Sequence, residues 1–241
     1  QQPDHIDHMA ATQLGAKTVR VATYPEDKDL IERVARACTY RKIQKLPKIV
    51  IADAKSPNAA SVNGNTFMFT TSILKSMNGD ELDAIIGHEI AHHRHSLRDT
   101  STRFLFFFGL ELAAATVLAT LGNRYGHKIP LLRHYSENPF MAGMATHYAF
   151  AAVPIALYTR SMEYESDREG AEYAGPDHMI SALKTLDTEV DKLTQKFKER
   201  PLKERIVPTA LHALRAVLYP IPDHPSTPAR IEAIEKHRPY A

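Results

Sequence analysis

The stretch with the clearest chemical content in this 241-residue chain is His88-Glu89-Ile90-Ala91-His92. Residues four apart on a helix lie one turn apart on the same face, so both imidazoles can reach one metal ion. Glu89 is offset by one position and can address a water at that metal rather than the metal itself. The preceding residues 81–87 (ELDAIIG) make the helix mostly apolar, which argues against a solvated polar face. Gly87 permits a close backbone approach. His93 and His95 point off the ligand face and are expected at the surface.

Two histidines leave a catalytic zinc one protein ligand short. A metzincin-type extension would need Gly at 95 and His at 98; the chain has His95 and Arg98. A carboxylate from a second helix is the other solution. Residues 160–167 (RSMEYESD) offer one, since Glu163 and Asp167 are four apart and share a face. One can bind the metal while the other anchors a ligand histidine through its second ring nitrogen. Taken alone, such carboxylates read as a solvated acidic face.

The elements that must hold these residues follow from hydrophobic periodicity. Residues 1–25 are polar and aperiodic and are expected to be an arm leading into a domain over 26–241. A helix is expected over 26–45, and a strand at 48–52 (KIVIA). Strands at 58–62 and 66–70 flank Asn63-Gly64-Asn65, which suggests a hairpin. Helices follow from 71 and from 80, the latter capped by Asp80 and Asp83. Further helices are expected over 160–174 and 177–198, with prolines interrupting 199–225. A last one follows Ser226-Thr227-Pro228.

Between the two candidate ligand blocks lie two apolar stretches. Residues 104–121 carry one charge, Glu111, and residues 140–158 carry none but contain His147 and Pro154. Each is close to the roughly 18–20 residues needed to cross a bilayer. A hydrophobic helical hairpin over 104–158, spanning a membrane, is the expectation; packing on protein is the alternative. Glu111 in such a segment needs a partner or a wet cavity. Arg94, Arg98, Arg103 and Arg160 on the domain side lean towards a cytoplasmic domain.

Composition bounds the rest. With 44% hydrophobic and 24% charged residues the chain suits a folded protein with a real core. Thirty Lys and Arg against 28 Asp and Glu give a net charge of +2, too balanced for a dedicated nucleic-acid binder. The single Cys38 excludes a disulfide scaffold and a cysteine-based zinc site.

Four blocks, in order, resemble the HtpX and CAAX-prenyl-protease type of membrane-associated zinc metallopeptidases. Asn58-Ala59 precedes a strand like that family's substrate-side edge strand. Residues 81–92 (ELDAIIGHEIAH) match its active-site helix. Residues 161–171 resemble its S-R-x-x-E-Y-x-A-D block, with Ser166 where the family has Ala. Residues 224–231 (HPSTPARI) resemble its H-P-x-x-x-x-R-I element. The resemblance covers about residues 26–238. It implies an α+β, mainly helical zincin-like domain with a small sheet and an inserted apolar hairpin. It also implies one zinc per chain on His88, His92 and Glu163, with Glu89 as general base and Asp167 supporting the ligands. His224 and Arg230 would lie near the cleft, as oxyanion stabilisers or as structural support. A peptide would add to Ala59, Ala60, Ser61 and Val62 as an extra strand. The implied partners are polypeptides, membrane or misfolded proteins above all. A catalytically silent membrane scaffold of the same fold, or a zinc hydrolase of a non-peptide amide or ester, are the competing readings.

Overall fold

The computed structural model describes residues 2–62, 65–129, 133, 137, 146–148, 152–202, 204, 208 and 224–237, with the side chains of 13 and 94–104 left out of the description. These residues fold mainly as helix around a four-stranded mixed sheet.

The first helix, α1 (His5–Gln13), starts at Asp4, whose carboxylate accepts the Ile6 and Asp7 amides while Asp7 accepts the Asp4 amide. Strand β1 (Val19–Val21) pairs antiparallel with β2 (Lys48–Ala52). The stretch 1–25, expected to be an arm, thus contributes a helix and an edge of the sheet. What orders it is tertiary. Lys48 donates to Asp4 and to the buried Asp7 at 2.7 and 2.6 Å. Ala11, with Ala10, Leu14 and Ala16 beside it, packs on Val50, Ala52 and Met68.

The sheet runs β1-β2-β4-β3. Strand β4 (Thr66–Thr70) is parallel to β2, and β3 (Ala59–Val62) is antiparallel to β4, as the Asn-Gly hairpin signal requires. Side chains alternate across it. Met68 faces the α1 side, whereas Phe67 and Phe69 join the main core. That core also takes Leu30 and Val34 from α2 (Lys28–Tyr40), Ile73 from α3 (Thr71–Ser76) and Ile86 and Ile90 from the next helix.

That helix, α4 (Gly79–Tyr125), carries the HExxH motif and runs on without a break into the first apolar stretch. Its start differs from expectation. Asn78 Oδ1 accepts the Asp80 and Glu81 amides at 3.0 and 2.9 Å, and Glu81 Oε2 accepts the Asn78 amide at 3.0 Å. Asn78 and Glu81 therefore form a reciprocal cap, displacing the Asp80 and Asp83 cap. Glu81 Oε1 also accepts the Ser181 and Thr185 hydroxyls at 2.5 and 3.0 Å.

Within α4, Leu105–Tyr125 is long and apolar enough to cross a membrane, and only 6% of its most apolar window is buried. No second such helix occurs among the described residues. Of the second apolar stretch, 140–145 and 149–151 lie outside the described residues, and 153–158 open helix α5 (Val153–Ala174). Glu111 has a partner: His147 Nδ1 lies 3.2 Å from both of its oxygens.

Gly175, at φ 106°, turns the chain from α5 into α6 (Pro176–Lys198). A final helix, α7 (Thr227–Lys236), has Pro228 in its first turn. Most of the proline-rich stretch 199–223 lies outside the described residues. The chain divides into two compact units. One comprises Gln1–Leu97, Met162–Ile206 and Pro225–Ala241, and the other Arg98–Ser161 and Val207–His224.

Candidate metal centre

Three helices of the first unit converge on one cluster. Helix α4 supplies His88, Glu89 and His92; α5 supplies Glu163, Ser166 and Asp167; α7 supplies Arg230. Glycines 87 and 170 face each other where α4 and α5 meet, so nothing bulkier than a hydrogen separates the backbones.

His88, His92 and Glu163 each offer a ligand atom, all within 4.8 Å of one another. The two Nε2 atoms are 3.0 Å apart. Glu163 Oε1 is 3.3 Å from His92 Nε2, and its Oε2 is 3.9 Å from His88 Nε2. On the far side of His88, Nδ1 meets Asp167 Oδ1 at 2.9 Å. An ionised carboxylate only accepts, so Nδ1 is the donor there and Nε2 of His88 carries a lone pair. His92 Nδ1 meets Ser166 Oγ at 3.4 Å.

This donor set fits a divalent metal. Two imidazole nitrogens and a carboxylate converge on one point at mutual distances of 3.0, 3.3 and 3.9 Å. Tetrahedral zinc, with bonds of about 2.0–2.2 Å, spaces its ligand atoms by roughly 3.4 Å. The Nδ1 contact to a buried carboxylate matches the usual support of metal-bound histidines.

Charge around the cluster is interlocked. Arg230 donates Nε and Nη2 to Asp167 at 2.6 and 2.5 Å, and its Nη1 lies 3.5 Å from Glu163. Burial pushes the Asp167 carboxyl up, but the bonds from Arg230 and His88 outweigh it and hold it below the ordinary range. Burial likewise opposes the charge on Arg230, and Asp167, Glu163 and Glu89 more than restore it. For His92, burial favours the neutral ring, yet the bond to Glu163 and the charges of Glu89 and Glu163 raise its pKa above the ordinary value. Glu89 is itself buried, 7% exposed, on the same helix turn.

The structure therefore brings His88, Glu89, His92, Glu163, Asp167 and Arg230 together. His224 is exposed. Ala59, Ala60, Ser61 and Val62 form an edge strand, each half-buried, with β4 on one side. His93 departs from its expected surface position: it is 6% exposed and its ring packs edge-on against Phe67 at 5.4 Å. Burial lowers its pKa. The signal was available, because Ile86, Ile90 and His93 fall at i, i+4 and i+7 on one helical stripe. Ser166, fully buried, was readable only as a substitution in the ligand block.

Comparison with known proteins places this chain in a family. The chain is 29% identical to the protein named Protease HtpX homolog of Salinibacter ruber, over 92% of this chain and 78% of that one. It is 28% identical to the Protease HtpX of Alkalilimnicola ehrlichii, over 76% of this chain and 63% of the relative. It is 31% identical to the Protease HtpX homolog of Thermodesulfovibrio yellowstonii, over 71% and 61%. The match thus spans less than two thirds of the length of the latter two relatives. The family model described as Peptidase family M48 matches residues 24–238, so the chain belongs to peptidase family M48.

Proposed function

We propose that the protein is a zinc-dependent endopeptidase acting on membrane or misfolded polypeptides. What carries the reading is the convergence of His88, His92 and Glu163 within 4.8 Å, with the buried Glu89 one position from a ligand. A zinc ion held there supplies Lewis acidity to a peptide carbonyl and makes water a better nucleophile at neutral pH. Glu89 takes the proton of the attacking water and returns it to the leaving amine. Asp167 fixes the ring of His88, and Arg230 holds Asp167 and Glu163 through its three donor nitrogens. Those engagements favour support over oxyanion binding for Arg230. For His224, which is exposed, the oxyanion role rests on the resemblance of its His-Pro block alone.

The peptide adds in extended form to β3, where Ala59 to Val62 present an edge with small side chains. Backbone pairing of this kind holds a chain without demanding a sequence. The relatives' printed name, protease, supports the reaction class. The exposed apolar Leu105–Tyr125 supports membrane association, and the arginines around it favour a cytoplasmic catalytic domain.

The test joins metal content to turnover. Purified protein is assayed for zinc and for casein cleavage beside Glu163→Ala. About one zinc per chain, lost in the variant together with turnover, is the expected result. Protein that binds no zinc when resupplied with it would leave a scaffold as the better reading.

A further inference from the structure

The two ligand histidines are not supported alike. His88 Nδ1 meets a carboxylate, Asp167, at 2.9 Å. His92 Nδ1 meets a hydroxyl, Ser166 Oγ, at 3.4 Å. Both supports come from adjacent positions of α5, and neither is solvent-exposed: Ser166 is 0% and Asp167 1% exposed. A carboxylate accepts only and locks His88 in one tautomer. A hydroxyl both donates and accepts, and so can serve either tautomer of His92.

Both tautomers have a use. Without a metal, a proton on His92 Nε2 faces two acceptors, the Glu163 carboxylate at 3.3 Å and the lone pair of His88 Nε2 at 3.0 Å. Ser166 then donates to the bare Nδ1. When a metal takes both Nε2 lone pairs, the His92 proton must sit on Nδ1, and the same hydroxyl turns to accept it. We propose that Ser166 is the positioning residue of His92, its hydroxyl reversing direction so that Nε2 is released to the metal while Nδ1 keeps a partner. The inference rests on reading His88, His92 and Glu163 as metal ligands.

An alanine at 166 removes this partner and leaves the Nδ1 proton of the metal-bound form without it. Partners of this kind are worth about 10–100-fold in metal affinity. The experiment measures zinc affinity by competition with a chromophoric chelator at neutral pH, for the wild type, Ser166→Ala and Ser166→Thr. Thermal unfolding of each metal-free protein serves as the folding control. Ser166→Ala should bind zinc about 10–100-fold more weakly with its metal-free unfolding unchanged, and Ser166→Thr, which keeps the hydroxyl, should recover most of the loss. Nitrogen-15 histidine spectra of the zinc-loaded wild type should place the His92 proton on Nδ1. Equal zinc affinity for the wild type and Ser166→Ala, or a His92 proton found elsewhere in the loaded protein, would overturn the assignment of Ser166 alone. A wild type that binds no zinc would overturn it together with the metal site.

Discussion

Gly87 and Gly170 stand against each other across α4 and α5, one residue before His88 and three after Asp167. A Cβ on Gly87 would lie 3.1 Å from the Gly170 Cα, and one on Gly170 would lie 2.7 Å from the Ala84 carbonyl oxygen. The separation of the two helices that carry the candidate ligands is therefore set by two missing side chains. Gly170→Ala forces backbone apart, because the clashing atom is a carbonyl and not a flexible side chain. Overpacking of this kind costs about 1–3 kcal/mol. The expected outcome is a lower melting temperature and weaker zinc binding together. Unchanged zinc affinity would show that helix spacing does not set the site.

Removing the carboxylate of Glu89 should separate chemistry from metal binding. Glu89→Gln is expected to keep stoichiometric zinc and to lose at least about 10²-fold in casein turnover, the range general bases supply. Turnover within tenfold of the wild type would assign the proton transfer elsewhere.

Arg230 is 15% exposed and sits on a carboxylate that is 1% exposed. Arg230→Met leaves Asp167 charged, buried and short of its two closest bonds. Breaking one partner of such a pair costs about 3–5 kcal/mol. Denaturant titration of the metal-free protein should register that loss. Asp167→Asn together with Arg230→Met should cost less than the sum of the two single changes, because the double variant no longer strands a charged Asp167. Additive losses would mean that the two residues act independently.

Glu81 gives stability a pH dependence. Burial favours its neutral form, but bonds from Ser181, the Asn78 amide and Thr185, with His178 nearby, bring its pKa below the ordinary 4.5. A folded value below the unfolded one stabilises the protein fully above about 4.5, and the gain is lost as pH falls through the lower folded value. Unfolding free energy measured from pH 7 to pH 3 should fall in that window. Glu81→Gln should flatten that part of the curve, and an unaltered slope would remove Glu81 from the account.

Prolines at positions 60 to 62 test the edge strand. Proline removes an amide and cannot donate to an added chain. The variants are expected to retain zinc while cleaving peptides more slowly, and undiminished turnover would move the substrate off β3.

The donor atoms were legible in the sequence because their spacing is that of one helical turn, at 88 and 92 and again at 163 and 167. Strands β2 and β4 were legible as β-branched and aromatic runs. Other features needed the fold. Helix α1 has too little amphipathic contrast to show in a pattern, and it is ordered by Lys48, 41 residues from Asp7. No proline between 79 and 125 stops the helix, so α4 runs unbroken from the HExxH turn into the apolar stretch. The cap at Asn78 was missed although Asn78-x-x-Glu81 is a readable signature. His93 was expected at the surface because it points off the ligand face, when its position on the apolar stripe decided its burial.

Among the described residues the strand at the end of the sheet pairs with β4 alone, and it contributes none of the converging donor atoms, which come from α4 and α5. Rim and centre are thus separate modules. Hairpins of other lengths or sequences, borrowed from relatives, can be grafted onto β4 while the ligand helices stay as they are. On the proposed function, such chimaeras would vary what is held while leaving how it is cut untouched.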